Sequence, residues 1–325
     1  MQQRLTRLTA LGIASVAVSA MAAPGTFYTG DMTPLNMHYG TPLGIQFSEL
    51  DRGATRWQLG YSVSNTLHQE RKSGEALAFD GETSRLLLAY EYGLSDEWDV
   101  RFELPWLDHG AGSLDGFVND FHEVFGFPEG KRPNVPDDQY GLRYRVNGTT
   151  LIQQNQATSG VGDVSVSLIR NVSTDYEDRL SVGGKLDIPT GDEDELTGSG
   201  TLDLALWVSA ASQISDRWSH YSQLGGVYVE PDEGLLSNRR KDGYAFMGYG
   251  IEWRVNPTIA LRLQADAQSA IYDSETRLLG HSTALTSGGT IHFSDRYALD
   301  IGVTEDVDVG TSSDVVFYLN LSVTP

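Results

Sequence analysis

From Arg56 onward, apolar and polar residues alternate with a period of two. Trp57, Leu59, Tyr61 and Val63 alternate with Gln58, Gly60, Ser62 and Ser64. Val100, Phe102, Leu104 and Trp106 alternate with Arg101, Glu103 and Pro105. The same pattern runs through 202–208, 259–266 and 315–323. Successive side chains of a strand point to opposite faces, so each segment predicts a strand with one apolar and one polar face.

A soluble sandwich shows this alternation too. Two further features separate the cases. A short turn recurs: Leu94-Ser-Asp-Glu-Trp98, Ile214-Ser-Asp-Arg-Trp218 and Phe293-Ser-Asp-Arg-Tyr297, with Val255-Asn-Pro-Thr-Ile259 in an equivalent place. The connections between these turns are long and polar, at 68–81, 108–140, 190–200, 230–243 and 272–282. Short turns at one end and long loops at the other belong to outer-membrane barrels. Trp98, Trp218 and Tyr297 then form a periplasmic aromatic girdle.

The pattern predicts strands over 56–67, 82–93, 97–106, 158–172, 178–188, 201–214, 217–229, 243–255, 258–270, 283–293, 296–304 and 313–323. The expected fold is therefore all-β: a transmembrane antiparallel up-and-down β-barrel of about 12 strands, with both ends periplasmic. Residues 140–157 read as a hairpin with a primed turn at Asn147-Gly148. It is either an extension of the loop after the third strand or a further strand pair, which makes 14 strands the alternative. In that loop Leu114, Phe117, Val118, Phe121, Val124 and Phe125 recur at helical spacing. They predict a short amphipathic helix, either folded on its own loop or acting as a lid that lines an entry route for apolar molecules.

The N-terminus divides differently. Arg4 and Arg7 precede an apolar run over 8–20, and Ala20-Met21-Ala22 carries small residues where a signal peptidase reads. Residues 1–22 are expected to be a signal peptide, too short in its apolar run to be a membrane anchor. Residues 23–55 lack alternation and carry Pro24, Pro34 and Pro42. They are expected to form a periplasmic segment or a lumenal plug, ahead of a barrel domain over 56–325.

Composition narrows the chemistry. With no cysteine, disulfides and thiolate metal or redox sites are excluded. The formal charge is −21, and loss of Arg4 and Arg7 takes it to −23. Such a chain repels phosphate, so no nucleic-acid partner is expected.

Glu103-Leu-Pro-Trp106, followed by Leu114-Asp-Gly-Phe-Val-Asn-Asp-Phe-His-Glu-Val-Phe-Gly-Phe-Pro128, resembles a proteobacterial outer-membrane barrel family of unknown function. Gly184-Lys-Leu-Asp-Ile-Pro-Thr-Gly191-Asp192 is similar to the strand-to-loop motif of the related phenol meta-pathway barrel family. The resemblance implies an outer-membrane barrel in a Gram-negative bacterium, with uptake of small aromatic compounds in the second family. It implies assembly machinery and periplasmic chaperones as biogenesis partners. Outer-membrane lipid and lipopolysaccharide are the expected surroundings, and a monomer without cofactor the expected state.

Three constellations are candidates for chemistry. Glu91 and Arg101 flank one short turn, and Glu252 and Arg262 another, ten residues apart in each case. A hairpin sets each Glu opposite or diagonal to its Arg on the inward face. Asp300 sits at the same height, with Glu103, Lys185, Gln264 and Gln223 two residues higher. This belt is either structural packing or a constriction that selects solutes by size and charge. His220-Tyr-Ser222 has the i, i+2 spacing of a lipid hydrolase that works from one strand face. By the turn ruler it lies near the periplasmic rim, without a carboxylate or amide partner on the adjoining strand. Asp187, Asp192, Glu193, Asp194 and Glu195 are expected to crowd one extracellular loop, in a spacing that fits no calcium motif. His109 and His122 read as surface residues. Passive passage or binding of small, hydrophobic or aromatic solutes is the expected function, with no enzymatic step. A lipid hydrolase using His220 and Ser222, and a structural or adhesive barrel with ligand-binding loops, are the alternatives.

Overall fold

The computed structural model describes residues 25–117, 136–173, 178–231 and 234–325. Its strands are β1 (Thr55–Lys72), β2 (Glu75–Gly93), β3 (Trp98–Gly110), β4 (Gly141–Val146), β5 (Thr149–Gln154), β6 (Thr158–Val161), β7 (Val164–Asn171), β8 (Asp178–Ile188), β9 (Asp203–Ser215), β10 (Trp218–Val229), β11 (Gly243–Arg254), β12 (Ile259–Gln268), β13 (Ser282–His292), β14 (Tyr297–Asp306) and β15 (Val315–Val323). Twelve staves form the ring: β1, β2, β3, then β6 and β7 in line as one stave, then β8 to β15 in order. All pairings are antiparallel. The ring closes between β15 and β1, with Trp57 opposite Val323 and Asn65 opposite Val315.

The alternation sorts the two faces. Leu59, Leu88, Phe102, Leu206, Leu224, Leu263 and Leu321 are exposed on the outer face. Leu206 is 60% accessible, whereas Ala205 and Trp207 on either side are buried inside. The apolar stripes face outward around a closed ring and do not meet across stacked layers, so the sandwich is excluded. The short turns hold the strand ends with the same bonds. Leu94 N donates to Trp98 O at 2.7 Å, Val255 N to Ile259 O at 3.0 Å and Phe293 N to Tyr297 O at 2.9 Å.

Several boundaries differ from the sequence expectation, each for a local reason. The region 68–81 is no loop: β1 and β2 run 18 and 19 residues and meet at Ser73-Gly74. Both turn residues have positive φ, the requirement of a two-residue hairpin turn. About 9–11 residues cross a bilayer, so this ribbon projects well beyond the apolar belt. The hairpin β4–β5 has its primed turn at Asn147-Gly148, both at positive φ. It pairs with the projecting end of β2 (Glu75 to Asp80), above the point where β3 leaves off, and so adds nothing to the ring. The 14-strand alternative is thereby overturned. The stave expected over 158–172 is broken at Gly162-Asp163. Opposite the break lies Pro105, which has no N–H for the ladder. Between Glu103↔Ser165 and Trp106↔Val161 the fourth stave holds one residue more than β3, a bulge that frees the Asp163 carboxylate.

The long loops are less polar in practice than in composition. Leu236, Ile271, Tyr272, Leu278 and Leu279 come from them and join Leu77 and Phe79 of the projecting ribbon and Leu142, Tyr144 and Ile152 of the β4–β5 hairpin in one buried cluster. A polar clasp fixes this cap: the Glu75 carboxylate accepts from Tyr144 Oη at 2.7 Å, and also from Ser274 Oγ and Arg239 Nη2. Of the expected helix, residues 115–117 begin a helical turn, and Phe117 meets Phe317 edge-on at 5.3 Å. Leu114 is half-buried. Val118, Phe121, Val124 and Phe125, like His122 and residues 1–22, lie outside the described residues.

Candidate functional site

Residues 25–51 have neither helix nor strand, yet most are buried. They thread the inside of the ring. A buried chain without secondary structure must satisfy its N–H and C=O groups elsewhere. Here the inward side chains of the barrel do so. Gln264 brackets Phe27: its Oε1 accepts from Phe27 N at 3.0 Å and its Nε2 donates to Phe27 O at 3.1 Å. Gln223 accepts from Gln46 N at 2.9 Å and donates to Gly44 O at 3.1 Å. Glu252 accepts from Gly25 N at 3.1 Å, and Asp203 from Gly40 N at 3.1 Å. Asp99 accepts from Glu49 N at 2.6 Å and Leu50 N at 3.1 Å. The segment leaves the ring at an ion pair between Glu49 and Arg56, 2.8 Å long.

One bend depends on a missing side chain. Gly44 has φ +65°, and a Cβ there would stand 2.0 Å from Phe27 O. Only glycine fits that crossing.

The inward belt lies beneath this segment. Glu91 is opposite Arg101 across the β2–β3 turn, and Glu252 opposite Arg262 across the β11–β12 turn. Arg101 binds Glu91, Gln58 and, at 2.7 Å, Glu103. Arg262 binds Glu252 at 2.9 Å and Asp300 at 3.1 Å. A relay joins the two clusters: Gln58 donates to Ser322 Oγ at 3.2 Å, and Asn320 to Ser322 Oγ at 3.3 Å and Asp300 Oδ2 at 3.0 Å. Lys185 pairs with Asp187 at 3.1 Å and Glu103 at 3.9 Å. The belt does not face open water. Arg101 is 1% exposed, with its guanidinium 4.5 Å from the centre of the Tyr28 ring. Arg262 lies 5.6 Å from the Phe27 ring centre. Both rings belong to the inner segment, so each arginine is covered by a cation–π contact.

Two expectations change at this point, for Asp187 and for His109. Asp187 is not in the extracellular acidic loop; it is a buried, inward residue of β8 and shares Lys185. Asp192 and Glu193 serve the loop itself: Asp192 Oδ1 accepts from Asp194 N at 2.9 Å, and Glu193 Oε2 from Leu235 N at 3.2 Å. No group of three or more His, Asp or Glu is arranged to hold a metal among the described residues. His109 is not a surface residue. It is fully buried at the outer end of β3, where Nε2 donates to Leu196 O at 2.7 Å and Nδ1 accepts from Thr83 Oγ1 at 3.0 Å. Its ring stands 6.2 Å from that of His38 on the inner segment. Burial, and then His109, pushes the His38 imidazole down to about 3, so it is neutral. Burial likewise raises Asp31 above the ordinary carboxylate range, against the bonds it accepts from Thr33 and Asn36.

His220 and Ser222 share the outer face of β10, and His220 meets the Tyr249 ring at 6.0 Å. Among the described residues no hydrogen bond joins His220 to Ser222 or to a carboxylate.

Two cavities flank the inner segment. The larger holds about 840 Å³ of atom-free space, part of it open to solvent. Met32, Met37, Leu43, Phe246 and Val316 line it beside Asp266. The smaller, about 470 Å³, lies on the β2, β3 and β8 side.

Among solved structures the chain is similar to the COG4313 outer membrane channel from Pseudomonas putida F1. Identity is 15% and the TM-score 0.58, covering 86% of this chain and 98% of that one. The CymD monoaromatic hydrocarbon channel matches at 11% identity and TM-score 0.42, covering 85% and 89%. The toluene transporter TbuX from Ralstonia pickettii matches at 12% identity and TM-score 0.39, also covering 85% and 89%. No curated protein matches the chain. The family described as Protein of unknown function (DUF3187) matches residues 5–324, nearly the whole chain. With that match the chain belongs to the DUF3187 family.

Proposed function

We propose that this protein is a monomeric outer-membrane channel of a Gram-negative bacterium that binds small, largely apolar solutes in its lumen and passes them passively. The observation that carries this reading is the larger cavity. Apolar side chains of the inner segment and of β11 and β15 supply most of its lining surface, beside the carboxyl groups of Asp31 and Asp266 and several hydroxyl and amide groups. Such a lining suits a monoaromatic or short aliphatic molecule better than a sugar. The lower lumen supports the same reading. Its charged side chains are bound to each other and to the inner segment, which leaves no wide aqueous bore for hydrophilic solutes. The similar Pseudomonas putida protein is an outer membrane channel. The outward apolar belt fits outer-membrane lipid, with the projecting ribbon and loops at the lipopolysaccharide side. No step of this function requires a catalytic residue.

The test is uptake of labelled toluene by porin-deficient cells, with and without the protein. The expected result is a several-fold faster uptake with the protein, lost in Val316→Glu, which places a carboxylate in the larger cavity. Equal rates with and without the protein contradict the reading.

A further inference from the structure

The larger cavity carries acidic groups with no base set against them. Asp31 of the inner segment and Asp266 of β12 line it, and among the described residues no Lys, Arg or His does. Both carboxyl groups meet neutral donors. Asp266 Oδ2 accepts from Gln264 Nε2 at 2.8 Å, with the Thr29 hydroxyl also beside it. Asp31 accepts from Thr33 N and Thr33 Oγ1, each at 2.8 Å, and from Asn36 Nδ2 at 3.0 Å. The neighbouring cations are engaged elsewhere. Arg262, further down β12, is bound to Glu252 and Asp300. Arg240 lies outside the lining, 5.6 Å from the centre of the Tyr39 ring, and donates to Glu230 O at 2.9 Å.

The same wall holds unpaired acceptors. Asn36 is 5% exposed, and its Nδ2 donates to Asp31 Oδ2 and, at 2.9 Å, to Leu278 O. Those two acceptors fix the orientation of the amide and leave Oδ1 without a partner. Ser313 is buried as well, and its Oγ has none. A buried acceptor without a donor is costly. Gln268 Nε2 is also unpaired, but no bond among the described residues fixes that amide, so its oxygen serves equally well. Thr41, Thr304 and Gln223 of this wall are already matched, to Tyr244 Oη, Thr286 Oγ1 and the backbone of Gln46 and Gly44. What the polar side of the cavity lacks is therefore a positively charged donor.

We infer that the larger cavity is a binding site for a small organic amine in its protonated form, with Asp266 and Asp31 supplying the countercharge, Asn36 Oδ1 a further acceptor, and Met32, Leu43, Phe246 and Val316 the wall for the hydrocarbon. An ammonium group has three donors and no acceptor, and its hydrogen bonds to carboxylates are among the strong ones. The apolar wall sets an organic amine apart from an inorganic cation, which has nothing to place there. This deepens the channel reading and rests on it for the route by which the ligand arrives; binding itself is measured without passage.

The experiment is equilibrium dialysis of labelled benzylamine against the full mature chain in nonionic detergent at neutral pH, with benzyl alcohol as the neutral analogue. Benzylamine is expected to bind at least about tenfold more tightly than benzyl alcohol. Asp266→Asn, which keeps an acceptor for Gln264, is expected to lose most of that preference while its affinity for benzyl alcohol stays within about twofold of the parent's. The chain's charge of −21 attracts cations in general, so Asp295→Asn, the same charge change on an exposed turn, is the control and is expected to bind benzylamine as the parent does. Equal affinity of the parent for the two ligands overturns the assignment, and decides the matter alone should Asp266→Asn fail to fold. Unchanged preference in a folded Asp266→Asn, an equal loss in Asp295→Asn, or displacement of benzylamine by equimolar methylammonium also overturns it. Toluene uptake that survives in Asp266→Asn leaves the channel intact whatever becomes of this site. No toluene uptake by the parent, with benzylamine binding retained, overturns the channel and spares the site.

Discussion

Deleting residues 26–49 is expected to raise the single-channel conductance of the barrel in planar bilayers several-fold. The ring has twelve staves, between the eight-stranded barrels that side chains fill and the sixteen-stranded ones that hold a water channel. Its inside therefore has room for a strand-width of chain and little more, and residues 25–51 occupy it. Their removal exposes Gln223, Gln264, Asp99 and Asp203 to water, which can satisfy those groups in place of the lost backbone. The wall keeps all its own ladder bonds, so the barrel is expected to insert as before. Conductance equal to that of the full chain contradicts the occupied lumen.

The second large effect concerns stability. Arg101→Leu is expected to lower the folding stability in lipid vesicles by about 3–5 kcal/mol, because it strands buried carboxylates. Glu91 keeps Arg56 at 3.2 Å, but Glu103 keeps only Lys185 at 3.9 Å as a cationic partner. Arg170→Leu is the control. Its pair with Glu97, 3.1 Å long, is about half exposed on both sides, so its loss is expected to cost under about 1 kcal/mol. Urea titration of both variants measures the difference. Equal small losses contradict a packed, dehydrated belt and describe instead a water-filled lumen.

The contrast between these two arginines also shows what was legible in the sequence. Hairpin register follows from a short turn, so the ten-residue spacing of Glu91 and Arg101, and of Glu252 and Arg262, was enough to set each pair face to face. Alternation likewise gave the outer stripes. What covers the belt was not readable. Residues 25–51 have no period, and their partners lie far off in the chain: Phe27 and Gln264 are 237 positions apart. The cap was hidden by averaging. Leu235-Leu236 and Leu278-Leu279 are apolar pairs inside polar loops, and such pairs were the available signal that these loops bury a core. The break in the fourth stave had a signal too, in Pro105 on the neighbouring strand, but a proline acts there through a ladder that single-strand patterns do not show.

The most direct test of the whole account is a spin-label scan along β9 in lipid vesicles, one label at a time from Leu204 to Ser209. Collision rates with oxygen, which dissolves in hydrocarbon, are expected to alternate: high at Leu204, Leu206 and Val208, low at Ala205, Trp207 and Ser209. Deleting residues 26–49 is expected to make only the second set accessible to a water-soluble relaxant. Uniform access of that relaxant to both sets in the full chain, or a chain that stays out of the vesicles, contradicts a lipid-facing ring closed around its own N-terminal segment.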